Sequence, residues 1–141
     1  MAVGTVYLED LKIGDSESLT KTITADLVEK FADVSEDRNP IHLDAEAGRA
    51  SRFGQCIAHG MLSACLFSAL LGEHLPGHGT IYLGQSLKFL APVLIGETVT
   101  ATVTVKEILA EKKRVLLTCE ATVDGKTVIT GEATVIAPSR A

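Results

Sequence analysis

The sequence contains no tryptophan, and its aromatic residues make up 4% of 141 positions. Any core it builds is therefore aliphatic. It also lacks a surplus of positive charge: the formal net charge is −5. That argues against a nucleic-acid or anionic-membrane surface, which needs lysines and arginines to neutralise phosphates. The three cysteines, Cys56, Cys65 and Cys119, form no Cys-x-x-Cys pair. An odd number of thiols in apolar or strand-like surroundings reads as buried free cysteines in a reducing compartment. The four histidines lack metal-ligand spacing, and no His-Glu-x-x-His or Cys/His set exists, so no metal is expected. There is no Gly-x-Ser-x-Gly elbow and no glycine-rich phosphate loop, which disfavours serine nucleophiles and nucleotide cofactors. The first residues carry no basic segment followed by an apolar one, so no secretory leader is expected. The longest nearly uncharged stretch, Cys56 to Gly72, is shorter than the roughly 20 residues a membrane span requires. A soluble cytoplasmic protein is the expectation.

What is present fits one domain over residues 1–141, with 46% hydrophobic and 22% charged residues. The first half reads as helices and loops. Thr24 can cap a helix carrying Leu27, Val28 and Phe31 that stops near Val34. A polar loop from Ser35 to His42 follows, with an Asn39-Pro40 turn signal, and Asp44 can cap a short helix through Arg49. Gly60 to Gly72 is an apolar helical run without a charged stripe. Such a helix must be covered on nearly every side, and being too short for a membrane it is expected at the centre of the domain. The second half reads as strands: Ile81–Leu90, Thr98–Val105 with strict alternation, and Arg114–Val123 returning through Asp124-Gly125 into Lys126–Ile136. Ser16 to Ile23 can add one more. Consecutive hairpins plus one apolar helix that needs wrapping predict an α+β arrangement of the hot-dog type, an antiparallel sheet curled around a central helix.

The densest polar cluster is Ser35-Glu-Asp-Arg-Asn-Pro-Ile-His-Leu-Asp44. Pro40 fixes its own φ and pushes Asn39 into an extended conformation, so Asp37 and His42 can converge on one point. A carboxylate and an imidazole facing one water form an acid/base pair, because imidazole titrates near neutrality. On these residues alone the plain alternative stands as well: Asx-turns at Asp37 and Asn39, and a surface His42 on a connecting loop. The second cluster is Ala58-His-Gly-Met61. Gly60 at the start of the apolar helix offers an unpaired N–H at the positive end of the dipole, suited to an oxyanion, or it only permits a sharp turn. His59 reads as a turn residue. Ser63 and Ser68 can each bond a carbonyl one turn back, although Ser68 is also placed to touch a ligand. His74 and His78 receive no role.

Two motifs in this order, Asp37-Arg-Asn-Pro-Ile-His-Leu-Asp44 and Ile57-Ala-His-Gly-Met61, resemble the MaoC-like family, and more narrowly its R-specific enoyl-CoA hydratases of the hydratase 2 type. The resemblance continues through Leu66 to Gly72 and Ile81 to Val93, and covers most of the chain from about Thr24 onward. It implies the hot-dog fold and reversible addition of water to a trans-2-enoyl thioester, giving an R-3-hydroxyacyl product. Asp37 and His42 would handle the water, Asn39 would hold the loop or the water, and the Gly60 N–H would meet the thioester carbonyl. Ser68 would lie in the site and Leu71 near the acyl pocket. Many relatives carry a proline where this chain has Gln55-Cys56, a departure at the pocket entrance that leaves these positions intact. No cofactor is implied. The substrate would be an acyl-CoA thioester, or an acyl carrier protein in a 3-hydroxyacyl dehydratase, with Lys88, Arg49, Arg52 and Lys112 as candidate phosphate contacts. A homodimer or larger even oligomer is implied too. A hot-dog thioesterase and a non-catalytic acyl-binding subunit are the rival readings from other classes.

Overall fold

A computed structural model describes residues 3–141. The elements run β1 (Ser16–Thr22), α1 (Ala25–Ser35), α2 (Pro40–Leu43), α3 (Ala45–Ala50), α4 (Gly60–Glu73), β2 (Ile81–Phe89), β3 (Thr98–Leu109), β4 (Arg114–Val123) and β5 (Lys126–Ile136). Local signals account for most boundaries. The Thr24 hydroxyl accepts the Leu27 N–H at 3.2 Å and starts α1, which ends where Glu36 turns left-handed at φ 65°. The Asp44 carboxylate caps α3 through the Glu46 and Ala47 amides. Asp124 and Gly125 both take positive φ, 49° and 78°, as the tight turn between β4 and β5 demands.

The five strands among the described residues form one antiparallel sheet in the order β1-β3-β4-β5-β2. The expected run of consecutive hairpins is thus corrected. Only β3-β4-β5 is a meander; β2 crosses over to the far edge beside β5, and β1 closes the other edge beside β3. The close fit of β2 requires a glycine opposite it, because a Cβ on Gly131 would sit 1.9 Å from the Ser86 carbonyl oxygen. Register shifts in the β2/β5, β3/β4 and β4/β5 pairings bend the sheet. The curled sheet places Val99, Ala101, Val103, Val105, Val115, Leu117 and Ala121 on its buried face.

α4 lies in that curl, chiefly against β3, with Phe67, Leu70 and Leu71 fully buried. Each such side chain contributes about 1.5–3 kcal/mol by leaving water. The outer face of β1 and β3 is polar but uncharged over much of its length. Ser16, Ser18, Thr20 and Thr22 pair hydroxyl to hydroxyl with Thr104, Thr102, Thr100 and Thr98 at 2.7–3.2 Å.

Two expectations are modified. α4 is not covered all round: Met61, Cys65, Ser68 and Gly72 form an exposed stripe at helical spacing. Of the three thiols only Cys119 is buried, where burial pushes its pKa up; Cys56 is half-buried and Cys65 exposed. No helix among the described residues is long and apolar enough to cross a membrane.

Candidate active site

The segment between α1 and α4 is held by a chain of side-chain-to-backbone bonds. Ser35 Oγ donates to the Phe31 carbonyl at 2.7 Å and accepts the Asp37 N–H at 3.1 Å. Asp37 Oδ1 accepts the Asn39 N–H and Asn39 Oδ1 accepts the Ile41 N–H, both at 3.2 Å. These are Asx-turns. Pro40 then opens α2, a single turn where a plain loop was expected, and that turn presents His42. The strand-like approach to α4 runs alongside. Ile57 N–H donates to the Ile41 carbonyl at 3.2 Å, and Ala58 N–H to the Val93 carbonyl at 2.8 Å.

Two imidazoles lock these pieces together. His42 Nδ1 lies 2.7 Å from the Ile57 carbonyl, and His59 Nε2 lies 2.9 Å from the Asp37 carbonyl. A carbonyl can only accept, so each nitrogen carries a proton. In the neutral rings the lone pairs are therefore on His42 Nε2 and His59 Nδ1. The rings stack at 3.9 Å between centroids with planes 28° apart, and Phe31 tilts onto His59 at 4.9 Å. His59 is 2% exposed and its Nδ1 has no hydrogen-bond partner among the described residues. The sequence pointed to it only as a turn residue. Its signal was the apolar context, Ile57-Ala58 before it and the hydrophobic helix after it, in which a titratable ring must be held by something.

A carboxylate oxygen of Asp37 and one nitrogen each of His42 and His59 lie within 4.8 Å of one another. The sequence spacing did not reveal this donor set. As a metal cage it is poorly shaped. The rings stack 3.9 Å apart with planes 28° apart, so their in-plane lone pairs lie in two separate layers, whereas ligands to one ion must converge at about 2 Å. The arrangement suits proton handling.

Asp37, His42, His59, Gly60 and Ser63 share the wall of a cavity of about 490 Å³, which Phe89, Val93 and Ile129 also line. Gly60 opens α4, His59 supplies no side-chain cap, and the Gly60 N–H has no acceptor among the described residues. A Cβ here would lie 2.6 Å from the Phe89 ring, so glycine lets that ring cover the helix start. Asn39 is occupied with the loop and does not line this cavity. Ser68 lines a second cavity of about 540 Å³, with Phe31, Cys65, Tyr82 and Gln85, and Met61 borders both. Burial pushes the Tyr82 hydroxyl up to about 12, so it remains a donor, and it donates to Gln85 Oε1. The structure does not bring Leu71 to either cavity; it is 1% exposed in the core. Of the four candidate phosphate contacts only Arg52 lines the first cavity, its guanidinium 5.5 Å from the Phe53 ring; Lys88, Arg49 and Lys112 do not.

Residues 13–132 match the family model of the MaoC like domain. An (R)-specific enoyl-CoA hydratase of Rhodospirillum rubrum is 54% identical over 95% of this chain and 93% of its own length. An (R)-specific enoyl-CoA hydratase of Aeromonas caviae is 46% identical over 92% of this chain and 98% of its own. The solved unliganded R-hydratase of Pseudomonas aeruginosa superposes with a TM-score of 0.92 at 41% identity, covering 96% of this chain and 88% of that one.

If His59 holds the Asp37 segment as this geometry requires, His59→Ala removes one hydrogen bond and one stacked face. Losing a bond of about 1.4 kcal/mol corresponds to roughly tenfold in a local opening equilibrium. Amide hydrogen exchange in residues 37–42 is expected to rise by that order while β3 and β4 stay protected. Unchanged exchange in that segment would show that His59 does not hold it.

Proposed function

Because this chain belongs to the MaoC-like domain family, we propose that it is an R-specific enoyl-CoA hydratase, a hydro-lyase adding water reversibly to trans-2-enoyl-CoA. The observation that carries this reading is one cavity wall bearing the Asp37 carboxylate, the half-buried His42 and the unpaired Gly60 amide. The chemistry needs each of them. The thioester carbonyl rests on the Gly60 N–H, where the helix dipole favours growing negative charge. That draws electrons from C3. Asp37 orients one water, and His42 Nε2, the nitrogen left free by the Ile57 carbonyl, takes its proton. The water oxygen bonds to C3 as the C2=C3 pair moves toward the carbonyl oxygen, and C2 then receives a proton from the same acid/base pair. Both new bonds form on one face, a syn addition. Dehydration is the reverse. The chemistry is complete with these side chains and water. Arg52 at the cavity wall is the group best placed for a coenzyme A phosphate, and the three free thiols suit a cytoplasmic setting.

Asp37→Asn and His42→Gln are each expected to lower crotonyl-CoA hydration by about 10²-fold or more with little change in Tm. The assay follows loss of the conjugated thioester absorbance. Wild-type turnover in both variants defeats the assignment. Release of free thiol from a saturated acyl-CoA would instead favour the thioesterase reading.

The acyl tail has a route from the first cavity past Met61 into the second, which puts Ser68 beside longer chains. Ser68→Leu should shift the preferred enoyl-CoA length downward; an identical length profile takes Ser68 off the substrate.

A second copy of this chain is the proposed cover for the open side. β2 is an edge strand with Ile81, Tyr82 and Leu83 exposed, and the exposed stripe of α4 borders it through the second cavity. An apolar edge of this kind pairs or aggregates when left free. Sedimentation should give twice the chain mass, and Leu83→Lys should shift it toward one chain. A wild-type monomer at micromolar concentration would refute this.

A further inference from the structure

Ser63 is the group in this cavity that the mechanism above leaves unused. It lies one turn after Gly60 on the same side of α4, and both line the wall shared with Asp37 and His42. It is fully buried, and its Oγ has no hydrogen-bond partner among the described residues. A serine inside a helix ordinarily satisfies itself by donating to a carbonyl one turn back, and Ser63 makes no such bond. Its buried neighbours along the helix, Leu62, Ala64, Leu66 and Phe67, are apolar and offer it nothing. The start of α4 therefore holds two donors without acceptors on one face, a backbone N–H and a side-chain O–H.

We propose that Ser63 Oγ–H is a second donor, beside the Gly60 N–H, to the carbonyl oxygen of the enoyl thioester. The proposal rests on the hydration reading and adds a catalytic residue to it. The carbonyl is the fitting acceptor for two reasons. C3 and the attacking water belong to the loop side, where Asp37 and His42 stand. The carbonyl oxygen gains negative charge as the water oxygen bonds to C3, and charge developing there strengthens a hydrogen bond from a donor already in place. Such a donor acts in the transition state more than in the ground state, so its loss falls on kcat more than on KM. The competing arrangement is a bond from Ser63 to His59 Nδ1, another buried atom unpaired among the described residues, four residues earlier.

The test is Ser63→Ala, alone and in an Asp37→Asn background that holds the enoyl thioester unreacted. Alone, it should lower kcat for crotonyl-CoA roughly 10- to 100-fold, below the full effect of losing an oxyanion donor because Gly60 remains. KM should change little. Tm should hold or rise, since the variant removes a buried hydroxyl that nothing satisfies. Hexadienoyl-CoA bound to Asp37→Asn should show a red-shifted absorbance from carbonyl polarisation, and the shift should be smaller in Asp37→Asn/Ser63→Ala. Wild-type kcat with an undiminished red shift overturns the proposal. So does a lowered Tm with unchanged kinetics, which would mark the His59 bond. If Asp37→Asn and His42→Gln are inactive while Ser63→Ala is not impaired, the hydration reading stands and only this inference fails.

Discussion

The site depends on one buried ring. His59 sits between Phe31 of α1 and His42 of α2, and its Nε2–H reaches the carbonyl of Asp37. The residues between α1 and α2 have no apolar core of their own; Asx-turns set their local shape but not their position in space. The imidazole supplies that position. Because Gly60 follows His59 directly and opens α4, the ring that positions the carboxylate and His42 also fixes where the unpaired amide begins. The separation between the Asp37/His42 pair and the Gly60 N–H is therefore set within one packed unit. Sites that must hold reacting groups to a fraction of an ångström need such support.

The same contacts select tautomers. Each histidine donates to a main-chain carbonyl, which fixes its tautomer without adding a charged partner. His42 is left with a free Nε2 beside the Asp37 carboxylate, the arrangement a base needs in order to take a proton from water.

Much of this was readable before any coordinates. The alternation of Val99, Ala101, Val103 and Val105 is the buried face of β3, and Thr24, Asp44 and Asp124-Gly125 each act where short-range chemistry places them. Such signals depend on neighbours in sequence. Strand order does not: nothing local says that β2 leaves β3 and pairs with β5, because both edges would accept an alternating strand. The uncharged character of α4 was legible, yet its open stripe at Met61, Cys65, Ser68 and Gly72 was not. Composition reports that a face must be covered and cannot say whether the same chain covers it. Leu71 was expected near the acyl pocket through resemblance, and here its side chain points into the core. His59 and Ser63 escaped for a third reason. Each is one polar residue in an apolar run, and only three-dimensional contacts separate a satisfied group from an unsatisfied one.

That separation also distinguishes surface from site. On the outside of β1 and β3, four pairs of hydroxyls satisfy one another across the strands, so the sheet carries many polar atoms with no unmet demand. Inside, where an unpaired group is far more costly, His59 Nδ1 and Ser63 Oγ remain unpaired within one turn of the start of α4. A chain able to place paired hydroxyls along a whole strand edge has the means to satisfy two more atoms, or to replace Ser63 with alanine. Ser63 Oγ, left unmet beside the Asp37 and His42 wall, is the donor proposed above for the thioester carbonyl. The free protein is less stable for carrying that hydroxyl unsatisfied, which is the cost a bound carbonyl would relieve.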